Sequence, residues 1–242
     1  MKYAYEFPRP SVTVDCVVFG FNPSSTVEPL QILLVRRKEE PFKDHWALPG
    51  GFVNVSDEVD NQGESLEDAA KRKLKEEANI NLTYIEQLYT FGYPDRDPRG
   101  RVISVAHFAL VRAADYVLSS GKNTSATDWI GVDTAQTRIK LAFDHRRILI
   151  KAIERLRMKI RYEPIGFNLL PPKFTLSELR NLYEGVTGRK LDASNFRKRI
   201  LATKVLLATG KKQTGQHRPA PYYIFDKKAY QRAIKKGFSF EI

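Results

Sequence analysis

The chain has 242 residues, of which 42% are hydrophobic, and it carries a formal net charge of +12. This length suffices for one large domain or two modest ones. An apolar run of about 18 residues and an apolar signal-peptide core are both missing, so we expect neither a membrane partner nor secretion. Cys16 is the only cysteine. A single cysteine excludes a disulfide within one chain, and a chain without disulfides is typical of the reducing cytoplasm. Cys16 lies in an apolar run, which predicts a small core residue of a strand.

The positive charge is concentrated in the last third of the chain. Residues 1–160 contain 23 Lys and Arg against 22 Asp and Glu, a net charge of +1. Residues 161–242 contain 17 against 6, a net charge of +11. This asymmetry predicts a nearly neutral module followed by one that binds a polyanion, although a solvated basic surface would have the same composition.

The elements of the first 160 residues predict a mixed α/β (α+β) layered domain. Residues 11–20 and 30–36 are rich in β-branched and aliphatic side chains, which predicts two strands. A helix is predicted over 65–78, where Leu66, Ala70 and Leu74 recur four residues apart. Residues 82–91 and 101–112 predict two further strands, and 143–160 a long amphipathic helix. Residues 161–173 contain three prolines and no periodicity, so we assign them to a linker.

Residues 174–242 predict a small winged helix-turn-helix domain. Thr175 and Glu178 form a capping box, Gly188 ends this first helix, and Asp192 is the predicted N-cap of a second. The expected inward face of the second helix consists of Ala193, Phe196 and Ile200. Two strand-like pieces, 205–209 and 222–225, are joined by a basic Gly/Pro loop over 210–221 that is typical of a wing.

Nine side chains of this domain are candidates for contact with double-stranded DNA. The second helix supplies Ser194, Asn195, Arg197, Lys198 and Arg199, and the wing supplies Lys211, Lys212, His217 and Arg218. The amide of Asn195 and the ammonium of Lys198 can donate hydrogen bonds to base edges in the major groove. The wing side chains would lie near phosphates and position the domain.

The helix over 65–78 and the segments before it resemble the Nudix box, Gly-x5-Glu-x7-Arg-Glu-hydrophobic-x-Glu-Glu-x-Gly-hydrophobic. The matching residues are Gly51, Glu64, Arg72, Leu74, Glu76, Glu77 and Ile80. Three features depart from the pattern. Lys73 stands at the position of a glutamate, Asn79 replaces the late glycine, and seven residues are inserted between the opening glycine and the first glutamate.

Lys73 decides what chemistry this box implies. In Nudix hydrolases the glutamate at this position helps to bind Mg²⁺ and takes part in catalysis. A protonated lysine has no lone pair and cannot be a metal ligand. We therefore expect a cluster of Lys73 with Glu76 and Glu77 in place of the metal, no metal site and no catalytic residue. A weak metal site with residual pyrophosphohydrolase activity stays open, because three glutamates of the box remain.

The resemblance implies that the domain still binds a nucleoside diphosphate sugar. Arg36 and Arg37 end a strand and can pair with phosphates. Arg96 and Arg99 lie in a charged turn, for which a self-paired, solvated loop is the alternative. Trp46 and Phe52 flank the glycines and could stack on a base, with core packing as the alternative. The predicted ligand-binding set is Arg36, Arg37, Trp46, Gly51, Phe52, Glu64, Arg72, Glu76, Glu77, Arg96 and Arg99.

Nearly the whole chain is similar to the Nudix-related transcriptional regulators, the NrtR family. The similarity includes RPSVTVD, PFKDHWALPGGFV, EQLYTFGYPDRDPRGRVISVAHFALV and FTLSELRNLYEGVTGRKLDASNFRKRI. It implies a repressor of NAD-metabolism genes that binds a palindromic operator as a homodimer. It also implies that ADP-ribose is the effector, binds the Nudix domain and weakens DNA binding, with no required cofactor.

Two other functions remain open at this point. The chain could be an active ADP-ribose pyrophosphatase with a basic tail that binds nucleic acid, an alternative against which Lys73 argues. It could also be a Nudix protein that binds or processes RNA. The order of helices and wing disfavours RNA, since the tail lacks the aromatic stacking sheet of RNA-binding domains.

Overall fold

The structure is a computed structural model that describes residues 6–23, 25, 27–56, 62–82, 84–213 and 219–235, without the side chains of residues 162 and 234. The chain divides into two units. The first contains Met1–Phe19, Ile32–Ala109 and Asp115–Ala152, and the second contains Gly20–Gln31, Leu110–Ala114 and Ile153–Ile242. Across the described residues, no helix has both the length and the apolar composition needed to cross a membrane.

A seven-stranded sheet is the main element of the first half of the described chain. Its strands are β1 (Ser11–Phe21), β2 (Leu30–Arg37), β3 (Trp46–Ala47), β4 (Gly50–Phe52), β5 (Glu86–Phe91), β6 (Val102–Arg112) and β7 (Thr124–Gly131). The strand order is β3-β2-β1-β6-β5, while β4 pairs with β1 and β7 pairs with β2. Strands β1, β2 and β6 are buried along most of their length, and Cys16 lies in this core as predicted.

Helix α1 (Leu66–Ala78) confirms the predicted helix over 65–78. Ser65 is its N-cap and accepts the backbone N–H of Asp68 at 3.1 Å. Asn79 ends the helix in the left-handed conformation, with φ of 57°, as its tolerance for that region predicted. The apolar face of α1 packs against β4 and β7 and contains Ala69, Ala70, Leu74 and Ala78.

Two sequence-predicted boundaries in this half were wrong. The strand expected over 82–91 begins only at Glu86, where the ladder with Phe108 of β6 starts. The helix expected over 143–160 is α3 (His145–Tyr162), which follows a short helix α2 (Val132–Thr137). It starts two residues late because Phe143 has a φ of 50°, outside the right-handed helical region.

After the end of α3, the described part of the second unit contains two helices, a hairpin and a further helix. Its elements are β8 (Phe174–Thr175), α4 (Leu176–Thr187), α5 (Ala193–Ala202), β9 (Leu206–Gln213), β10 (Ala220–Phe225) and α6 (Lys227–Lys235). In the described chain the three strands form one antiparallel sheet in the order β8-β10-β9. The predicted capping box of Thr175 and Glu178 and the caps at Gly188 and Asp192 are confirmed.

Two expectations for this unit need correction. Phe196 and Ile200 are buried as predicted, but Ala193 is exposed at the first position of α5. Lys211 and Lys212 were assigned to the wing loop, yet they lie in β9, because the ladder with β10 continues to the pair of Gln213 with Ala220.

Helix α6 was not predicted. The segment assigned to a linker, 161–173, contains the end of α3 and a short 3₁₀ helix, Pro164–Asn168. The linker boundaries stay a prediction.

Candidate functional site

The first unit contains a cavity of about 240 Å³ beside the Nudix-like box. Strands β1 and β4, helix α1, the turn over 95–99 and the segment before α3 contribute its walls. Six residues of the predicted ligand-binding set line it: Arg37, Gly51, Phe52, Glu77, Arg96 and Arg99. Lys73, the residue that departs from the box, lines the same cavity. The fold therefore brings the box together with the charged turn, which lies far from it in sequence.

The other five residues of that set lie outside the cavity lining: Arg36, Trp46, Glu64, Arg72 and Glu76. The Nε–H of Arg36 donates a hydrogen bond to the backbone oxygen of Asp44 at 3.0 Å. In the sheet, Arg36 of β2 lies opposite Trp46 of β3. The remaining three residues of this group belong to an ionic cluster on α1.

In that cluster Arg72 connects two glutamates. Its Nε donates to Glu64 at 2.8 Å, and its NH1 donates to Glu76 at 3.1 Å. Lys73 Nζ donates to Oε2 of Glu76 at 3.0 Å. The hydrogen bond from Arg72 holds the pKa of Glu64 below its usual range. Burial would raise the pKa of Glu76, but Lys73 and Arg72 outweigh it and lower the value. The expected lysine–glutamate contact is thus confirmed for Glu76.

Glu77 faces the cavity from the next position of α1. Its Oε2 accepts the backbone N–H of Gly50 at 3.1 Å. Burial raises the pKa of Glu77 to about 7, although the Gly50 N–H and the charges of Lys73 and Arg37 act in the opposite direction. Near neutral pH this carboxyl group is therefore ionised only in part.

These residues do not fit the divalent cation that a Nudix box implies. Proteins bind Mg²⁺ largely through carboxylate oxygens, and both carboxylate oxygens of Glu76 already accept hydrogen bonds from Arg72 or Lys73. Arg72 binds both oxygens of Glu64. Within the part of the chain that the structure describes, no group of three or more His, Cys, Asp or Glu is placed to hold a metal.

A buried polar network forms another wall of the cavity, and sequence reasoning found only its arginine. Arg96 pairs with Asp144 at 2.7 Å and with Asp15 at 3.2 Å. Ser104 donates to Asp15 at 2.6 Å, and His145 Nε2 lies 3.3 Å from the same carboxylate. Burial would raise the pKa of Asp15, but His145, Arg96 and Ser104 lower it to about 2. The signal in the sequence was an aspartate inside the apolar run of β1.

The turn over 95–99 is self-paired, as one of the two alternatives held, but it is not fully solvated, because Arg96 and Asp97 are buried; contact with a ligand stays a prediction. Arg99 is paired within the turn, since its guanidinium donates to Asp97 at 2.7 and 2.9 Å. The same guanidinium lies over the ring of Phe52 at 4.9 Å and near that of Phe143 at 5.5 Å. Arg37 also lies over Phe143, at 4.9 Å from the ring centroid. Two guanidinium groups and two aromatic rings thus lie together at the cavity, a combination suited to a phosphorylated aromatic ligand.

Thr13 is a cavity residue for which the sequence gave no signal. It lies on β1 opposite Phe52 and lines the cavity. Its side chain is 95% buried, and Oγ1 finds no hydrogen-bond partner among the described residues. Buried hydroxyl groups are nearly always paired in proteins, so we expect a water molecule or a polar group of a ligand beside this one.

The second unit presents the predicted basic surface. The five candidate side chains of α5, Ser194, Asn195, Arg197, Lys198 and Arg199, are all exposed. On the opposite side of the helix Phe196 packs 5.7 Å from the ring of Tyr183 on α4. The turn between the helices is held by Glu184, which accepts the backbone N–H of Leu191 at 3.0 Å. The outer face of α5 is therefore presented by a packed helix pair.

The hairpin carries further exposed cations. Lys211 and Lys212 are exposed on β9. His217 and Arg218, the other two wing candidates, lie outside the described residues. Seven of the nine candidate DNA contacts can thus be placed, and all seven are exposed.

Comparisons with known proteins identify both units. The NUDIX domain model matches residues 9–152, and the model of the NrtR DNA-binding winged helix domain matches residues 166–225. The "ADPR responsive transcriptional repressor NtrR" of Acinetobacter baylyi is 37% identical over 220 residues, which are 91% of this chain and 84% of that protein. The chain belongs to the NrtR family. The NrtR architecture expected from the sequence, a Nudix domain followed by a winged helix, is thereby confirmed.

Two solved NrtR structures are similar to this chain. The crystal structure of Shewanella oneidensis NrtR complexed with a 27mer DNA has a TM-score of 0.71 and 32% sequence identity, and covers 91% of this chain and 95% of that one. The cocrystal structure of the NUDIX domain of Shewanella oneidensis NrtR complexed with ADP ribose has a TM-score of 0.54 and 34% identity. That match covers 62% of this chain and 90% of the other.

Proposed function

We propose that this NrtR protein is a transcriptional repressor that binds operator DNA through its winged helix and releases it when ADP-ribose binds in the Nudix domain. The observation that carries this proposal is the joint presence of an exposed basic helix and a cavity whose Nudix box holds a lysine instead of a metal ligand. The relatives support it, since one is named for its response to ADPR and another is solved with DNA and with ADP ribose.

DNA binding is assigned to the outer face of α5 and to the hairpin. Asn195 and Lys198 would read base edges, and Arg197 and Arg199 would contact bases or the adjacent phosphates. Lys211 and Lys212 would contact the phosphate backbone. The exposure of all these side chains on one packed helix pair and its hairpin supports the assignment. We also assign the cytoplasm as location, a homodimer as the active form and a palindromic site near NAD-metabolism genes as the operator.

ADP-ribose binding is assigned to the cavity of the first unit. Arg37 and Arg99 can pair with the diphosphate, and the rings of Phe52 and Phe143 can stack on the adenine. Gly51 allows the backbone to approach the ligand closely. Glu64, Arg72 and Glu76 act indirectly, because their mutual ion pairs fix the helix turn that carries Lys73.

We further propose that the protein is not an efficient hydrolase. Mg²⁺ would have to displace the ammonium of Lys73 from Glu76 and the guanidinium of Arg72 from Glu64 before three carboxylates became available. ADP-ribose is therefore expected to leave the protein intact, as an effector and not as a substrate. No other cofactor is required by this proposal.

One titration tests the function. ADP-ribose is added to the complex of the full chain with a labelled palindromic operator of the family, with and without Mg²⁺, and the fluorescence anisotropy of the DNA is followed. The ligand is then separated and examined for AMP. Release of DNA by intact ADP-ribose is the expected result. Rapid formation of AMP, or no operator binding at all, would instead favour an ADP-ribose pyrophosphatase.

A further inference from the structure

Lys73 lines the cavity at the Nudix-box position that is a metal-binding glutamate in Nudix hydrolases. Its side chain is only 16% exposed and lines the cavity. The stem packs against Gly51, at which a Cβ atom would lie 2.6 Å from Cε of Lys73. The head is anchored to Glu76 at 3.0 Å. This lysine is therefore a positioned cation of the cavity wall and not a solvated surface charge.

The ammonium of Lys73 keeps hydrogen-bonding capacity for a ligand. An ammonium has three donors, and among the described residues Lys73 donates only to Glu76. Glu76 is itself shared with Arg72, which donates to both of its oxygens at 3.1 and 3.2 Å. Two cations and two carboxylates, counting Glu64, thus form a neutral cluster. The carboxyl groups of Glu39, Glu40 and Glu77 also line the cavity, so a negatively charged ligand must be bound by Lys73 together with the other cations of the lining.

The unpaired hydroxyl of Thr13 is an independent indication that a polar partner belongs here. It lies in the same cavity and is buried without a partner among the described residues. Arg37 and Arg99 add two guanidinium groups to the same lining. A ligand with several acceptor oxygens, such as a diphosphate, could accept hydrogen bonds from all four side chains.

We propose that Lys73 is an effector-binding residue whose ammonium takes the place of the divalent cation, so that a nucleoside diphosphate binds this cavity without Mg²⁺. Lysine is well suited to this role, because its ammonium is a compact point charge that binds phosphate oxygens. The inference deepens the proposed function and rests on it for the choice of ADP-ribose as the ligand. It adds a direct contact between Lys73 and the diphosphate and makes Mg²⁺ unnecessary for binding.

Calorimetric titration of ADP-ribose into the full chain, in EDTA and in Mg²⁺, tests this role. The wild-type protein should bind with the same affinity in both buffers. Lys73→Met keeps the length of the side chain and removes its charge, and should lower the affinity roughly tenfold or more in EDTA. Lys71→Met is the matched control, since Lys71 lies two residues earlier on α1 and pairs with the exposed Glu67 at 2.7 Å. It should bind as the wild type does.

The outcomes separate this inference from the proposed function. Wild-type binding that requires Mg²⁺, or equal affinities of Lys73→Met and wild type, would overturn the role of Lys73 and leave the repressor intact. Failure of the wild type to bind ADP-ribose in either buffer would overturn both. Metal-independent, Lys73-dependent binding that releases no DNA would support the inference and refute the regulation. Retained operator binding by Lys73→Met shows that the variant is folded.

Discussion

A single side chain changes the chemistry of the Nudix box in this protein. Lys73 keeps the helix and its packing, since lysine and glutamate are both good helix formers. What changes is the sign of the charge at the point where three carboxylates would otherwise meet. Lys73 also has a charged partner, because Glu76 accepts a hydrogen bond from its ammonium at 3.0 Å. The Nudix fold is thus retained, while an ion pair stands at a position where the Nudix box has a glutamate.

Lys73→Glu should therefore restore or increase metal-dependent pyrophosphate cleavage. The substitution places a third carboxylate beside Glu76 and Glu77, which favours Mg²⁺ binding and activation of water. Cleavage of ADP-ribose to AMP and ribose 5-phosphate, measured with and without Mg²⁺, should appear in the variant above the wild-type rate. Lys71→Glu, which makes the same charge change away from the cavity, should not exceed the wild-type rate. A Lys73→Glu variant that neither binds Mg²⁺ nor cleaves any nucleoside diphosphate sugar would refute this account.

Asp15 is the residue on which the buried network depends. Its carboxylate contacts Arg96, Ser104 and His145, and these contacts lower its pKa from 3.8 to about 2. A shift of this size corresponds to about 2 kcal/mol of folding stability. Because the pKa is lowered, the contribution is complete above the unfolded-state value of about 3.9 and disappears as the pH falls towards 2.

Asp15→Asn should lower the free energy of unfolding by about 2 kcal/mol at pH 7, since Arg96 loses one of its two buried charge partners. Urea denaturation at several pH values measures the difference. The gap between variant and wild type should narrow below about pH 4, where the wild-type carboxylate begins to lose its contribution. Asp95→Asn makes the same chemical change at an exposed aspartate next to Arg96. It serves as the control and should change the stability little. An equal loss at all pH values would mean that packing, and not charge, is what Asp15 provides.

At the scale of the element, helix α5 separates folding from recognition. Phe196 and Ile200 face inward and hold the helix against α4, while the exposed side carries the candidate DNA contacts. Changes on the outer side should therefore leave the fold intact. This separation allows recognition to be tested without loss of the domain.

Arg197→Ala and Lys198→Ala should each reduce operator affinity by roughly tenfold or more, because each removes a charged donor from the face that enters the groove. ADP-ribose affinity, measured by calorimetry, should not change. Lys122→Ala removes an exposed lysine in the first unit and is the matched control for charge. If both α5 variants bind the operator as tightly as the wild type, α5 is not the recognition helix.

The elements that the sequence predicted well are those with local signals. Caps and periodicity marked α1, α4 and α5, and the structure confirms their cap residues, such as Asn79 and Asp192. Contacts between distant residues could not be read in the same way. Asp15 meets Arg96 only because β1 and the turn over 95–99 come together in the fold. Lys211 belongs to β9 because the ladder continues past the glycine that suggested a loop.

At the scale of the whole molecule, the division of charge follows the division of function. Several cations that line the cavity of the first unit are paired with carboxylates, as Arg99 is with Asp97 and Lys73 with Glu76. The excess charge of +11 lies in residues 161–242, with exposed cations on α5 and β9. DNA binding should therefore depend strongly on salt, whereas ligand binding uses charges that are already arranged inside the cavity.

The logarithm of the operator affinity should fall linearly with the logarithm of the salt concentration, with a slope of about −0.9 for each phosphate contacted. Lys211→Ala should reduce the magnitude of this slope by about 1 and weaken binding to all sequences alike, since a phosphate contact carries no sequence information. Fluorescence anisotropy at several KCl concentrations, with operator and with random DNA, measures both effects. If Lys211→Ala instead lost the preference for operator over random DNA while the salt slope stayed unchanged, Lys211 would contact a base and not a phosphate.

The position of Cys16 has a practical consequence for spectroscopy. It is the only cysteine in the chain, it is fully buried in β1, and burial raises the pKa of its thiol. A thiol in that state reacts slowly with maleimides, because the thiolate is the reactive form. Cysteines introduced at exposed positions such as Ser177 and Lys122 would then carry dyes with little background from the native thiol. With a dye at each position, single-molecule energy transfer between the two dyes would then show whether ADP-ribose or operator DNA changes the distance between them.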